Sequence, residues 1–134
     1  MSSELPRLEQ FPAFVAKGGA IRVLPEFTGG EWYEALERDT VDDGADGHLV
    51  SWHTFVEPWD SWEMHPIADE LVLCIAGGAE LIQEIDGKEV RLRLTEGRWL
   101  VNPAGVWHTA DVAPGGSATC VFVTAGLGTQ IRPR

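Results

Sequence analysis

The sequence predicts a single all-β domain, a sandwich or barrel built from short strands. From His48 onward, short runs rich in Val, Ile, Leu, Thr and Trp recur about every ten residues, with turn-forming residues between them. No long amphipathic helix alternates with these runs, which argues against a parallel sheet with crossover helices. A length of 134 residues, with 44% hydrophobic and 23% charged residues, suits one ordinary globular domain.

Residues 1–47 predict an N-terminal arm that packs on the barrel, and residues 48–134 predict the barrel itself. The arm sequence is irregular and is interrupted by prolines and by two Gly-Gly pairs. Within it, residues 30–39 (GEWYEALERD) contain good helix formers, with Trp32, Tyr33 and Leu36 at helical spacing. The arm is therefore expected to contain one short helix, followed by the turn-rich DDGADG.

The barrel region divides into eight predicted strands, near residues 48–56, 60–65, 70–76, 79–85, 88–94, 98–101, 106–112 and 117–124. One hairpin is strongly marked, because Asp86-Gly87 lies between the runs AELIQEI and KEVRLRL. In the second run apolar residues alternate with arginines, which predicts one buried and one solvated face.

Charge and cysteine content limit the classes of partner and compartment. The formal net charge of -11 repels phosphate backbones and anionic lipids, so neither nucleic acid nor a membrane surface is expected as a main partner. Cys74 and Cys120 lie in apolar runs and form no CxxC pair, which predicts buried, reduced thiols. No signal-like or membrane-spanning apolar stretch is visible, and a cytoplasmic protein is expected.

Two stretches contain residues suited to chemistry. Glu63 and His65 are two residues apart and share one face of a strand, and Glu70 opens the next strand beside His65 across a turn. Taken alone, this stretch is by default a solvated strand edge. His108 follows a tight turn at residues 102–105 and shares a face with apolar residues, so it is either a satisfied core histidine or a metal ligand.

The spacings of these two stretches resemble the two motifs of the cupins, a family of small β-barrels. The first match runs His65, four residues, Glu70, six residues, Gly77, and the second runs Gly97, five residues, Pro103, one residue, Gly105, two residues, His108. The resemblance covers about residues 48–125. It implies a double-stranded β-helix, also called a jelly-roll barrel, and in most members a homodimer.

Three positions depart from the cupin pattern. Glu57 replaces the first glycine and Val112 replaces the closing asparagine, and both changes concern structure. Glu63 replaces the leading histidine of the first motif, and this change concerns chemistry.

The resemblance implies that Glu63, His65, Glu70 and His108 hold one divalent metal ion. Two imidazoles and two carboxylates make a harder, less Lewis-acidic site than the usual three histidines and one glutamate, which suits Fe, Mn or Zn. Alternatively, Glu63 stays off the metal as a general base, and the other three residues form a two-histidine, one-carboxylate set with open positions. A third alternative is a barrel that has lost the metal and serves as a binding cup.

The same face assignment predicts which other residues line the cavity. If Glu70 faces inward, Val72 and Cys74 line the pocket, and Trp52 is expected to join them. His53 then lies on the outer face of its strand, His48 is at the surface, and Asp69 points outward. The remaining tryptophans considered, Trp59, Trp62 and Trp107, are expected away from the ligands, as core or dimer contacts.

The function expected from these residues is metal-dependent action on a small organic molecule in the barrel mouth, of the oxidoreductase (dioxygenase-like) or isomerase type. The fold supports many functions, so it does not fix the reaction. A non-enzymatic cupin that binds or senses a ligand, with or without metal, is the alternative. A metal-free enzyme using a histidine–carboxylate base pair, as in an epimerase, is the third option.

Overall fold

A computed structural model describes residues 4–134 and shows a mainly antiparallel β structure with one α-helix in that range. The first part of the chain forms β1 (Ala13–Val15), β2 (Ile21–Val23), α1 (Gly30–Thr40) and a 3-10 segment (Val41–Asp46). The remaining strands are β3 (His48–Phe55), β4 (Ser61–Met64), β5 (Glu70–Ile85), β6 (Lys88–Thr95), β7 (Trp99–Asn102), β8 (His108–Asp111), β9 (Ala118–Thr124) and β10 (Gln130–Pro133).

Strand β5 joins the two halves of the structure. The sequence predicts two strands here, at 70–76 and 79–85, but the structure has one continuous strand with a register irregularity between Cys74 and Ala76. The first part of β5 pairs with β7 and β9, whereas the second part pairs with β6 and β8. The strand instead passes from one sheet into the other through this irregularity and the two glycines that follow it, and pairing resumes on both sides.

The main core lies between these two parts of β5. Ten buried residues from both parts and from the strands paired with them form one cluster: Val72, Cys74, Ala79, Leu81, Leu94, Ala110, Val112, Ala118, Cys120 and Phe122. Both cysteines are free and buried, as predicted. The predicted hairpin is also confirmed, because Asp86 (φ 52°) and Gly87 (φ 76°) form the tight turn between β5 and β6.

The arm is more regular than its sequence suggests. Strand β1 pairs with β2 on one side and with β3 on the other, so the arm extends the barrel sheet. These strands have three residues each, too few for a period-2 pattern to be visible in the sequence. Helix α1 forms at the predicted residues, and its Trp32 is buried in a second small core with Phe14, Leu24 and Leu49.

Strand β10 was also missed by the sequence analysis, and it pairs with β4 along residues 61–64. Across residues 4–134, no helix combines the length and apolar character required to cross a lipid bilayer.

The bend at Gly77 gives a test of the fold. Gly77 has a φ of +72°, and a Cβ there would lie 2.0 Å from the carbonyl oxygen of Ser117. Gly87 has nearly the same φ, +76°, but open space around it. Left-handed strain alone costs about 1–2 kcal/mol, so Gly87→Ala should lower the free energy of unfolding by that amount. Gly77→Ala adds a backbone clash and should cost about 3 kcal/mol or more.

Chemical denaturation of both variants beside the wild type measures this difference. Equal losses in the two variants would show that the close approach of β5 to Ser117 does not constrain the barrel.

Candidate metal centre

Three of the four predicted ligands converge at one point of the barrel. Glu63 lies on β4 and pairs directly with His108, the first residue of β8, while His65 follows one residue after the end of β4. One ligand atom from each of Glu63, His65 and His108 lies within 4.8 Å of the other two. Both histidines are buried, and Glu63 is half-buried.

The ring orientation of each histidine is fixed through its Nδ1 atom. The Thr129 hydroxyl donates to the Gly126 carbonyl at 2.8 Å, so it accepts the hydrogen bond that His65 Nδ1–H donates at 2.8 Å. His108 Nδ1–H donates to the Val106 carbonyl at 3.3 Å. In the neutral rings, both protons are then on Nδ1, and both Nε2 atoms present a lone pair, the arrangement found in metal-ligating histidines.

Across residues 4–134, these two buried Nε2 atoms receive no hydrogen bond while the rings are neutral. Each faces a Glu70 carboxylate oxygen, at 3.1 Å for His65 and 3.4 Å for His108, and could bond to it only if the ring were protonated. Such atoms lose their hydration on folding and cost free energy unless something else satisfies them. Two lone pairs and a carboxylate that face one point match the donor set of a divalent metal ion. The residues present therefore fit the ion that the sequence motifs imply.

Glu70, the fourth predicted ligand, lies beside both histidines but outside this group of three. Its Oε2 is 3.1 Å from His65 Nε2, and its Oε1 is 3.4 Å from His108 Nε2. Asn102 Nδ2 donates to Oε1 at 3.0 Å, and the Thr124 hydroxyl donates to Oε2 at 2.6 Å. The carboxylate is thus held by two neutral donors and keeps lone pairs directed at the imidazoles.

A buried amide network supports Glu70 from behind. Gln83 Nε2 donates to Asn102 Oδ1 at 2.9 Å and to the Val101 carbonyl at 2.8 Å. The Asn102 amide is therefore oriented with its nitrogen toward Glu70. Sequence analysis missed Gln83, Asn102, Thr124 and Thr129, because no fixed spacing relates them to the motif residues.

The pKa values of the cluster reflect burial and mutual charge. Burial, followed by the charge of Glu70, raises the pKa of Glu63. Burial also lowers the pKa of His108. Burial alone would lower the pKa of His65 and raise the pKa of Glu70. The contact between the two side chains outweighs burial, so the pKa of His65 is raised and the pKa of Glu70 is lowered. Without an ion, the cluster therefore favours a proton on His65 and a charged Glu70.

The two motif segments are joined through the backbone. Gly105 N donates to the His65 carbonyl at 2.9 Å, and Ala104 N donates to Asp69 Oδ1 at 2.8 Å. Gly105 adopts φ +80°, which a glycine tolerates and which closes the turn before His108. Asp69 is exposed, as predicted, and its outward carboxylate fixes this turn.

The aromatic residues around the site differ from the sequence prediction in three places. Trp59, expected away from the ligands, has its ring centroid 6.4 Å from that of His108. His53, expected on the outer face, lies 5.2 Å from Phe27 and 5.8 Å from Phe122, and burial lowers its pKa. Trp52, expected in the pocket, lies on the opposite face of β3 from His53.

The reason for these errors is the register of β3 on β9. His53 pairs with Cys120 and Ser51 pairs with Phe122, so the odd-numbered residues of β3 face the core. Trp52 was expected to join the pocket, but it lies on the outward side of β3 together with another apolar residue, Val50. Val72 and Cys74 share the inward face with Glu70 and are buried in the core.

Trp62 and Trp107 hold the Arg132 guanidinium, at 5.1 and 4.5 Å from their ring centroids.

Helix α1 of the arm lies close to the site. Burial, followed by the negative charges of Glu63 and Glu70, raises the pKa of Tyr33 to about 12. The Tyr33 ring packs against Phe27, which in turn contacts His53. Glu37 Oε1 accepts a hydrogen bond from Gly128 N at 3.1 Å, next to the threonine that orients His65. The arm therefore contributes to the surroundings of the ligands, which the sequence analysis did not predict.

Several solved structures share this fold. An uncharacterised double-stranded β-helix protein from Klebsiella pneumoniae is 19% identical, with a TM-score of 0.55 over 65% of this chain and 76% of that one. Oxalate oxidase is 17% identical, with a TM-score of 0.53 over 61% and 44% of the two chains. Peruvianin-I, a cysteine peptidase from Thevetia peruviana latex, is 23% identical, with a TM-score of 0.53 over 64% and 56%.

The chain thus spans about half the length of oxalate oxidase and of the peptidase. These similarities confirm the double-stranded β-helix fold that the resemblance of the two motifs implies. At such low identity they concern the fold alone, and the proteins named differ in activity. No family model and no curated protein matches the sequence.

Tyr33 gives a direct test of how the arm lies over the site, because it is the only tyrosine in the sequence. An ordinary tyrosine titrates at a pKa of about 10, whereas Tyr33 should titrate at about 12. The ultraviolet absorbance of the phenolate, followed against pH in metal-free protein, reports this residue alone. Glu63→Gln should lower the pKa of Tyr33, because it removes one neighbouring negative charge.

The matched control is Glu96→Gln, which removes an equal charge from an exposed residue and should leave the pKa of Tyr33 unchanged. A pKa near 10 in folded wild-type protein would mean that Tyr33 is not held, partly buried, beside the charges of Glu63 and Glu70.

Proposed function

We propose that this chain is a small cupin that binds one divalent metal ion through Glu63, His65 and His108, with Glu70 beside them. The observation that carries the proposal is a pair of buried Nε2 atoms that, within residues 4–134, face only the carboxylate oxygens of Glu70 and accept no hydrogen bond, in a cluster whose ligand atoms lie within 4.8 Å of one another. Burying two imidazoles and two carboxylates together is costly unless a positive charge compensates the carboxylates. A divalent ion supplies that charge and satisfies both nitrogens at once.

The donor set favours a borderline or hard ion, namely Fe, Mn or Zn. Imidazole and carboxylate ligands suit these ions, whereas a soft ion such as Cu(I) would prefer sulfur. Cys74 and Cys120 do not offer it, since both thiols are buried among apolar side chains, and Cys74 Sγ donates to the Ala76 carbonyl. With Glu63 and Glu70 both charged, the loaded site is close to neutral.

The further proposal is that the site acts on a small organic molecule, in an oxidoreductase or isomerase reaction. A bound ion would supply a Lewis-acidic centre with open positions for an oxygen atom of that molecule. In the alternative in which Glu63 stays off the metal, it is the residue suited to accept a proton, because its carboxylate lies beside the ligating histidines. Thr129 and Val106 keep the histidine rings in place, and Asn102 and Thr124 do the same for Glu70.

The surroundings of the site support a small, uncharged or weakly charged partner. Trp59 and His53 pack beside Phe122 in the interior, and Trp59 also contacts the His108 ring. The net charge of -11 disfavours nucleic acid and anionic membranes as partners.

Metal content is the first measurement. Elemental analysis of untagged protein purified without chelators should find about one equivalent of Fe, Mn or Zn in the wild type. His108→Ala removes one of the two partnerless nitrogens and should lose most of that metal. His48→Ala is the matched control, because it deletes an imidazole of the same chain that lies outside the ligand cluster, and it should retain the metal.

Absence of metal from the wild type, even after incubation with each ion, would overturn the proposal. Equal metal content in His108→Ala and the wild type would overturn the assignment of the ligands.

The orienting role of Thr129 gives a second test. Thr129→Val keeps the shape of the side chain but removes the acceptor for His65 Nδ1–H, so the ring is no longer held with Nε2 toward the site. Loss of such a partner typically weakens metal binding about 10–100-fold, measurable by competition of Zn²⁺ with a chromophoric chelator. Thr54→Val removes an exposed hydroxyl that shares a hydrogen bond with Thr119, which is not one of the ligands, and Zn²⁺ affinity should not change.

An unaltered affinity in folded Thr129→Val protein would show that this hydrogen bond does not orient the ligand.

A further inference from the structure

Cys74 and Cys120 lie directly opposite each other in the sheet. They are far apart in the sequence, yet β5 and β9 pair them as Cα partners. Residues opposed across an antiparallel ladder project from the same side of the sheet, and both cysteine side chains are fully buried in the main core. The fold therefore brings two separate thiols together as a pair.

The pair occupies the closer of the two kinds of position in an antiparallel ladder. Cys74 N donates to the Arg98 carbonyl at 3.0 Å, and Gly97 N donates to the Cys74 carbonyl at 2.8 Å. Both backbone groups of Cys74 thus point toward the segment before β7 and away from β9. Opposed residues that exchange no backbone hydrogen bonds have Cα atoms about 4.5 Å apart, and their side chains lie closer than at the bonded positions.

This separation suits a disulfide bond. A disulfide joins Cα atoms about 4.4–6.8 Å apart and Cβ atoms about 3.5–4.5 Å apart. Opposed Cβ atoms at the closer kind of position are about 4.5 Å apart. The two strands can therefore accept the bond with little movement of the backbone.

The two sulfur atoms are neighbours in the reduced protein. Burial, followed by the charge of Cys74 and a hydrogen bond with it, raises the pKa of the Cys120 thiol to about 12. Cys74 Sγ donates to the Ala76 carbonyl at 3.3 Å, so its lone pairs can accept the Cys120 thiol proton. Both cysteines are free thiols in this state.

We infer that Cys74 and Cys120 form a modification site, at which hydrogen peroxide oxidises the two thiols to one cross-strand disulfide. One thiolate attacks an oxygen of the peroxide, which gives a sulfenic acid and hydroxide, and the proton lost from the thiol converts that hydroxide to water. The second sulfur then displaces the hydroxyl group of the sulfenic acid, which leaves with the second thiol proton as another water. The two sulfur atoms together lose two electrons, and the peroxide gains them.

The sheet is irregular at the point where peroxide must enter. The register of β5 on β9 shifts between Cys74 and Ala76. Such an irregularity disrupts the ladder locally, so this segment should open more readily than a regular one. Burial and the raised pKa of Cys120 keep its thiolate fraction low. Oxidation should therefore be slow, and the thiols should stay reduced until peroxide is supplied.

The disulfide would lie on the same ladder that holds Glu70. Glu70 pairs with Thr124 as Cys74 pairs with Cys120, and Val72 with Phe122 is the one pair between them on this face. A covalent link at this point closes a long loop and restricts the unfolded chain, so the oxidised barrel should be more stable than the reduced one. The reaction needs no bound metal and can be measured in metal-free protein.

The test is the number of thiols that remain in full-length, metal-free protein after prolonged treatment with hydrogen peroxide. Circular dichroism confirms that the protein stays folded during the treatment. The protein is then unfolded, and its remaining thiols are labelled with a maleimide. Labelling should fall from two thiols per chain to nearly none, and peptide mapping without reductant should find Cys74 and Cys120 linked within one chain.

The midpoint of chemical denaturation gives a second readout. The oxidised wild type should unfold at a higher denaturant concentration than the reduced wild type, and a thiol reductant should reverse the shift. Cys120→Ala is the matched control, because it removes one of the two sulfur atoms, so peroxide should produce neither the linked peptides nor this shift. If the variant does not fold, the reduced wild type serves as the control.

Both thiols still labelled after prolonged exposure of the wild type would overturn the inference. So would sulfinic acid on either cysteine without a link between them, a link formed only between two chains, or a disulfide that lowers the denaturation midpoint.

Discussion

The burial of four ionisable side chains at one point of a small barrel is the constraint on which the rest of this structure depends. Glu70, His65 and His108 have almost no access to water, and Glu63 lies half-buried against them. Charged groups without water need partners. The chain supplies neutral donors to Glu70 and neutral acceptors to both Nδ1 atoms, which leaves two imidazole atoms that face only a carboxylate. Those two are the Nε2 atoms, which gives the cluster its capacity to hold a cation.

The scaffold serves this cluster by bringing distant segments together. Strand β5 starts at Glu70 in one sheet and carries Gln83 in the other. The Gln83 amide orients Asn102, and Asn102 in turn donates to Glu70. The turn before His108 is bonded to the backbone of His65. The loop before β10 supplies Thr129, and α1 is bonded to that same loop. The ligands are therefore fixed by groups from five separate parts of the chain, so a local change far from the motifs can alter the site.

The two faces of the strands β3, β5 and β9 have different tasks despite similar apolar composition. The inward face packs the core and carries Glu70, while Val50, Trp52, Leu71 and Val121 on the outward face are partly exposed. Because both faces of these strands carry apolar residues, the alternation of residue types does not show which face points into the core. This ambiguity placed Trp52 in the pocket and His53 at the surface, when the register of β3 on β9 gives the reverse.

Short-range patterns were enough to predict several features. Turn chemistry predicted the Asp86-Gly87 hairpin, helical periodicity predicted α1, and the motif intervals predicted the fold class and the three ligands that converge. The tertiary structure alone decided the continuity of β5, the added strands β1, β2 and β10, and the partners that orient the ligands. Each of these results from pairing between residues far apart in the chain, as between His65 and Thr129, which no local pattern encodes. These features depend on packing between distant parts of the chain and not on the residue types of any one segment.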